Sequence, residues 1–246
     1  MQARRTFFNP WSMLVIDGAL FACLVLEVTY FWQWTITSTA IAVAIVLVGF
    51  SFFHQREDIV FFITAAILGS LTEIIVIQTG VWQYGNPVLF GLALWAPLFW
   101  GFAFLFGRRV RDAVFQLTYQ QVHYARHARE PKVLLTVLLD VFLYGAIVLA
   151  ALLFWQTSFV LLGVYVALLA LALSVFHTWA DAFFVILAVL VGTALEVVAT
   201  RAGVWTHSNS VLWGMPVWLP VAYGLFALIV RRAAVLLNHA LFRRSA

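Results

Sequence analysis

Along this chain, apolar residues fall in long runs with neither the alternation of a strand nor the polar stripe of an amphipathic helix. A membrane-spanning helix needs about 20 mostly apolar residues. Eight stretches qualify: 11–33, 36–54, 58–82, 87–107, 133–155, 158–176, 181–205 and 211–231. The second and sixth are the shortest but contain almost nothing polar. The one long connection, 108–132, carries Arg108, Arg109, Arg111, Arg126, Arg129 and Lys132, with Tyr119, Gln120, Gln121, His123 and His127. Its composition predicts a linker containing a short interfacial helix.

The polar residues inside these runs recur. Gly69-Ser-Leu-Thr-Glu73, Gly80-Val-Trp82, Trp95-Ala-Pro97 and Arg108-Arg109 are followed by Gly192-Thr-Ala-Leu-Glu196, Gly203-Val-Trp205, Trp218-Leu-Pro220 and Arg231-Arg232. Each pair is separated by the same interval (69 to 192, 123 positions). At that offset Asp17 also meets Asp140, Phe31-Trp32-Gln33 meets Phe154-Trp155-Gln156, Phe53-His54 meets Phe176-His177, and Asp58 meets Asp181. Shared hydrophobicity does not produce polar identities at one fixed spacing. Four spans per copy is an even number, so both copies have the same topology. The predicted fold is an all-α integral membrane protein. It comprises eight transmembrane helices as two tandem four-helix repeats, with a pseudo-twofold axis along the membrane normal. The repeats cover 1–107 and 133–246, joined by the basic linker 108–132.

Composition agrees: 65% of the 246 residues are hydrophobic and 10% charged, where soluble domains carry about 25% charged residues. The net charge of +4 needs no nucleic-acid partner, because its placement explains it. With eight spans, all 14 Lys and Arg residues except Arg201 fall on one side. This places both termini in the cytoplasm and the protein in the cytoplasmic (inner) membrane. Trp32, Trp34, Trp82, Trp155, Trp205 and Trp213 fall at the opposite helix ends, as an outer aromatic belt. The single cysteine, Cys23, excludes an intramolecular disulfide and a Cys-based metal site. Asp17 and Glu27 interrupt the first run, and no small-residue cleavage site follows it. That run therefore reads as a membrane helix rather than a removed signal peptide.

Buried carboxylates are the candidate chemistry. Glu73 and Glu196 each lie 15 residues after an aspartate at the cytoplasmic helix end (58 to 73, 181 to 196), about 22 Å along a helix. A charge at the bilayer centre costs about 2.5–3.5 kcal/mol on the insertion scale, so such groups face inward, pair, or accept a proton. The functional reading is a general acid, proton site or ligand anchor, with the two sharing a proton if the axis passes near. The structural reading is a packing contact, Glu196 with Arg201 or Glu73 with a tryptophan indole. Glu27, whose counterpart is Ala150, falls at similar depth and is a third candidate. His54-x-x-x-Asp58 and His177-x-x-x-Asp181, with Asp17 and Asp140, offer imidazole and carboxylate metal ligands. The competing reading makes Asp58 and Asp181 helix N-caps, with the histidines bonded across the turn or to Asp17 and Asp140. No cofactor is implied. Trp95-x-Pro97 and Trp218-x-Pro220 read as proline kinks inside the fourth and eighth spans, with Pro216 as a second break. Gly80 and Gly203 read as helix ends. The aromatic load, with Trp82, Trp95, Trp205, Trp218, Tyr84 and His207 nearest the carboxylates, suits an apolar or polyene ligand between helices.

Two resemblances rest on these residues. Thr72-Glu73, Thr79-Gly80, Tyr84-Gly85, Gly91 and Trp95, with Glu196, Gly203 and Trp213-Gly214-Met215-Pro216, resemble the polytopic carotenoid-biosynthesis proteins that include the bisanhydrobacterioruberin hydratases. This implies acid-catalysed addition of water to, or isomerisation of, an isoprenoid polyene, with Glu73 and Glu196 as proton donors. Gly80-Val-Trp-Gln-Tyr84, Trp95-Ala-Pro97 and a following arginine resemble the Insig family of lipid- and sterol-binding membrane proteins. This implies a non-catalytic lipid-binding or regulatory protein. The paired glutamates and the eight-span duplication depart from that family. A proton-coupled transporter on the duplicated scaffold is the third reading. The expected partner is a membrane lipid or isoprenoid, with a homo-oligomer also open.

Overall fold

The structure, a computed structural model, describes residues 10–53, 56–119, 133–176 and 178–242. Those residues form helices α1 (Pro10–Phe31), α2 (Thr35–Phe53), α3 (Arg56–Ile77), α4 (Ala96–Tyr119), α5 (Val133–Phe154), α6 (Ser158–Phe176), α7 (Trp179–Arg201) and α8 (Leu219–Phe242). Two short strands, β1 (Trp82–Tyr84) and β2 (Trp205–His207), follow α3 and α7. Each element in the first half has a counterpart about 123 positions later, from α1 and α5 to α4 and α8.

Among the described residues, five helices are long and apolar enough to cross a membrane: Leu14–Phe31, Glu57–Ile77, Val137–Phe154, Trp179–Arg201 and Leu219–Asn238. Thr35–Ser51 and Ser158–Ser174 are shorter apolar helices. This is an integral membrane protein. Eight helices form where eight spans were expected, and the fourth and eighth depart most from the expected bounds. They were expected from 87 and 211, but α4 starts at Ala96 and α8 at Leu219. The residues before each helix are apolar enough to count toward a span, yet Gly85, Pro87 and Gly91 break the backbone there. They build a strand and a tight turn instead. Pro97 and Pro220 accordingly sit in the first turn of their helices, where the missing N–H has no helical partner to lose. The proline kinks do not exist, and Pro216 lies ahead of α8. At its other end α4 runs on through Arg108–Asp112 to Tyr119, so the first part of the expected linker is helix.

Gly80 and Gly203 end their helices with positive φ (78° and 74°), as expected. The chain then enters β1 or β2, which pair antiparallel with Trp82 opposite His207, Gln83 opposite Thr206 and Tyr84 opposite Trp205. Gly85 N–H donates to the Val204 carbonyl (2.8 Å) and Ser208 N–H to that of Val81 (3.0 Å), extending the pairing at both ends. Beyond each strand lies a two-residue turn, Leu89-Phe90-Gly91-Leu92 and Leu212-Trp213-Gly214-Met215, closed by reciprocal backbone bonds. Phe90 (φ 53°) and Trp213 (φ 51°) are left-handed, as are the glycines after them. Positive φ at both central positions is type I′ geometry, where asparagine and glycine are usual. A bulky residue held there costs about 1–3 kcal/mol.

Helices α3 and α4 pack together, as do α7 and α8; α3 also packs on α8 and α4 on α7. The close pairs depend on glycine. A Cβ on Gly69 would lie 2.6 Å from the Trp100 ring, and one on Gly192 2.5 Å from that of Tyr223. Neither ring has room to retreat, because Trp100 and Tyr223 stack on each other at 6.0 Å. Gly69→Ala or Gly192→Ala is therefore expected to destabilise by about 1–3 kcal/mol through overpacking, read as a lower unfolding midpoint in detergent.

At the end of the bundle away from the strands, arginines from the tails of α4 and α8 reach aspartates on neighbouring helices. Arg109 binds Asp17 of α1 (2.6 Å) and Asp58 of α3 (3.4 Å), and Arg108 also reaches Asp58 (3.4 Å). In the second half Arg232 binds Asp140 (3.3 Å) and Arg231 binds Asp181. All four aspartates are buried. Asp58 and Asp181 are thus not N-caps. Thr178 caps α7, and Asp181, the third helical residue, completes its capping box. Among the described residues no group of three or more His, Cys, Asp and Glu could hold a metal. His54 and His177 lie outside the described residues.

Candidate functional site

Under the paired strands, α3 and α7 carry Glu73 and Glu196, both buried (7% and 4% exposed). Glu196 has three side-chain partners. Tyr223 of α8 donates its hydroxyl to Oε1, while Trp205 Nε1 (2.7 Å) and His207 Nε2 (2.9 Å) of β2 meet Oε2. Glu73 accepts from the Tyr84 hydroxyl of β1 (2.7 Å) and from the Trp100 indole of α4. The two constellations use equivalent positions with different side chains. The third strand residue is Tyr84 in one and His207 in the other, and the position three after the proline is Trp100 in one and Tyr223 in the other. The strand must reach its own helix for this to work, and Gly80 and Gly203 turn the chain back toward it.

Two apolar cavities, each partly open at its mouth, flank the carboxylates. The first lies among α3, α5, α8 and the strands, where Thr72, Trp82, Ile147, Tyr165 and Trp218 join Glu73 and Glu196. The second lies between α4 and α7, lined by Phe99, Phe104, Phe184 and Leu187 with Tyr84 and Glu73. Glu73, Trp100, Trp205 and Tyr223 border both, so these four form the partition between them. Tyr144 of α5 bonds Thr72 of α3 at 2.9 Å beside the first cavity, and Tyr165 donates to the Ile147 carbonyl at 3.1 Å. Both cavities are mostly aromatic and aliphatic, with a few polar groups along each wall.

Of the residues singled out from sequence, Glu73, Glu196, Trp82, Trp205, Trp218, Tyr84 and His207 all border a cavity. Trp95 does not. It is 1% exposed and wedged against Tyr84, Phe99 and Trp205, with ring centroids 5.6–6.5 Å apart. Glu27 does not join the other carboxylates either. It lies between α1 and α2, bonded to the Ser38 hydroxyl, and borders neither cavity. Its counterparts Ala150 and Leu161 are both apolar, so the polar pair is a private feature of the first half. The expected Glu196–Arg201 contact is absent from the bonds of Glu196, and Arg201 is exposed. Trp205 belongs to the interior (8% exposed) rather than to an outer belt, while Trp34 and Trp213 are about 60% exposed (59% and 60%).

Sequence reasoning missed Trp100, Tyr223 and Tyr165, and quoted Thr72 only as part of a motif. The first two carried a signal. Each is an aromatic with a polar tip, three residues after a proline, at the repeat's own spacing.

No protein-family model and no curated protein matches the sequence. The structure is similar to two solved structures of an Insig homolog from Mycobacterium vanbaalenii. One superposes with a TM-score of 0.56 at 17% identity, covering 74% of this chain and 93% of that one. The other, a cross-linked trimer of the same protein, gives 0.57 at 17% identity, covering 77% and 97%. The likeness is one of fold. It falls on the Insig side of the two sequence resemblances, and nothing in the comparisons supports the carotenoid-hydratase side.

Proposed function

We propose that this protein is a non-catalytic, Insig-like binder of an apolar membrane lipid, held in the cavities that meet at Glu73 and Glu196. One observation carries this reading: Glu196 has both oxygens occupied by side-chain donors of its own chain. A carboxylate held by three side chains of its own chain braces a wall, and its position is set by those bonds rather than by a substrate. A general acid needs the opposite, a proton within hydrogen-bond reach of the reacting atom. The apolar cavity walls suit acyl or isoprenoid chains.

The scaffold for this pocket is two tandem four-helix repeats about a pseudo-twofold axis along the membrane normal. Three contacts support that arrangement, because in each a residue meets its own counterpart. Gln83 faces Thr206 in the strands, Trp100 stacks on Tyr223, and Phe61 meets Phe184 at 6.1 Å. The arginine pairs at the far end of α4 and α8 favour placing that end, and both termini, in the cytoplasm. A second copy of the chain is a further partner, by analogy with the trimeric neighbour.

Mass spectrometry of lipid retained through purification tests the reading. Wild-type protein is expected to hold lipid, and Ala151→Phe with Ala222→Phe, which fills the first cavity, to lose most of it. Equal lipid in both proteins would end the proposal. The Glu73→Gln and Glu196→Gln variants separate the catalytic alternative. A binder yields no chemically altered lipid with or without the glutamates, whereas an enzyme yields product that disappears in the variants.

A further inference from the structure

We propose that the two type I′ turns, Leu89–Leu92 and Leu212–Met215, are immersed in the membrane, with Phe90 and Trp213 anchoring the strand end of the bundle at the headgroup–acyl boundary. The inference is independent of what the cavities hold.

Exposure is the starting point. Val88, Leu89 and Phe90 are 53–65% exposed, and Val211, Leu212 and Trp213 are 39–62% exposed. They are tips rather than lipid-facing helix sides, and water would be their default surroundings. Three features argue against water. The first is conformational. Phe90 and Trp213 occupy left-handed φ, which an asparagine would take at less cost and with better solvation. Turn geometry does not call for an aromatic there, yet both halves place one. The glycine that follows has a separate reason to be present, since a Cβ on Gly91 would lie 2.6 Å from Ile77 and one on Gly214 3.2 Å from Thr200. Each turn is thus clamped onto the end of α3 or α7 with its aromatic on the exposed side.

The second feature is the backbone. Non-helical chain enters a low-dielectric region only if its N–H and C=O groups find partners. Here Leu89 and Leu92 bond each other in both directions (3.1 and 2.9 Å), Val88 N–H also reaches the Leu92 carbonyl (3.0 Å), and Gln78 Nε2 donates to the Phe90 carbonyl (3.0 Å). The second turn repeats the backbone bonds, with Val211 and Leu212 N–H on the Met215 carbonyl and Met215 N–H on that of Leu212, all at 3.0 Å. The third feature is charge. No Asp, Glu, Lys or Arg lies between Glu73 and Arg108 or between Arg201 and Arg231, so neither turn carries a formal charge that would hold it in water. Aromatic rings concentrate at this level of a bilayer, and the tips continue the apolar surface of the spanning helices.

Spin labels test this. Cys23 is replaced by alanine, and a nitroxide is placed at Phe90→Cys or Trp213→Cys in protein reconstituted into phosphatidylcholine vesicles. Relaxation by oxygen and by a water-soluble nickel complex reports depth. Both labels are expected about 5–10 Å below the phosphates, the depth of interfacial side chains. A label relaxed mainly by the nickel complex would place the turns in water and overturn the proposal. A label shielded from both, broadened by a second label nearby, would make the turns a contact between copies and overturn it equally. Phe90→Asn with Trp213→Asn supplies a check on folding. In detergent its unfolding midpoint is expected to match or exceed that of the parent. In vesicles, a label on the neighbouring α1–α2 turn at Gln33→Cys is expected to move toward water. No movement would also overturn the proposal.

Discussion

Arg109→Ala is expected to be the most damaging single substitution in the molecule, costing about 3–5 kcal/mol. Asp17 sits on α1 with 2% of its side chain exposed, and its bond to Arg109 is 2.6 Å long. Its second oxygen has no partner. Removing the arginine therefore strands a carboxylate inside a helix bundle and weakens the attachment of α4 to both α1 and α3. Detergent-solubilised protein titrated with a denaturant would show the loss directly. The diagnostic comparison is the double variant Asp17→Asn with Arg109→Leu. Replacing a buried ion pair by neutral or apolar groups is often close to neutral, so most of the lost stability should return. If the double variant is as unstable as the single one, the damage comes from lost packing of the arginine stem and not from the orphaned charge. Arg232→Ala should act in the same direction on Asp140 and α6, since Arg232 also donates to the Ala172 carbonyl at 3.0 Å.

Glu196→Ala comes second, and it should cost more than Glu73→Ala. The first deprives Tyr223, Trp205 and His207 of an acceptor, and the second deprives Tyr84 and Trp100. Each buried donor left without a partner costs about 1–3 kcal/mol. Glu196→Gln should fall between wild type and alanine, because one oxygen still accepts while the amide sets a donor against donors. Unfolding midpoints give the order. Retained lipid gives the functional consequence, because Tyr223 and Trp205 form the partition between the cavities and will lean into one of them once released. Equal losses for Glu73→Ala and Glu196→Ala would contradict the asymmetric bonding.

Much of this was legible before any coordinates. Polar residues at one fixed offset located the carboxylates, the arginine pairs and the ends of α3 and α7. Inward-facing charge in an apolar segment was a sound guide to Glu73 and Glu196, because the cost of burial leaves few alternatives. It failed for Glu27, since a depth along a helix says nothing about which side of the bundle the residue faces. The prolines misled for a related reason. Hydropathy at 87–95 and 211–218 matches that of a membrane span, and Pro97 and Pro220 read as kinks only while those stretches are assumed helical. Gly85, Pro87, Gly91 and Gly214 were turn signals in plain view, outweighed by hydrophobicity. Asp58 and Asp181 had the right spacing for caps, but their arginine partners lie fifty residues further along the chain (58 to 108, 181 to 231). No local pattern announces such a pairing.

The strand pairing carries a mechanical consequence. Carriers that alternate access swing one half against the other about an unobstructed seam. Here that seam is riveted at three levels, by backbone bonds at Gln83 and Thr206, by the Trp100–Tyr223 stack, and by the Phe61–Phe184 contact. Rocking would shear all three together. A lipid held as proposed would instead enter sideways, between neighbouring helices and from within the bilayer itself, the route open to a molecule already dissolved there.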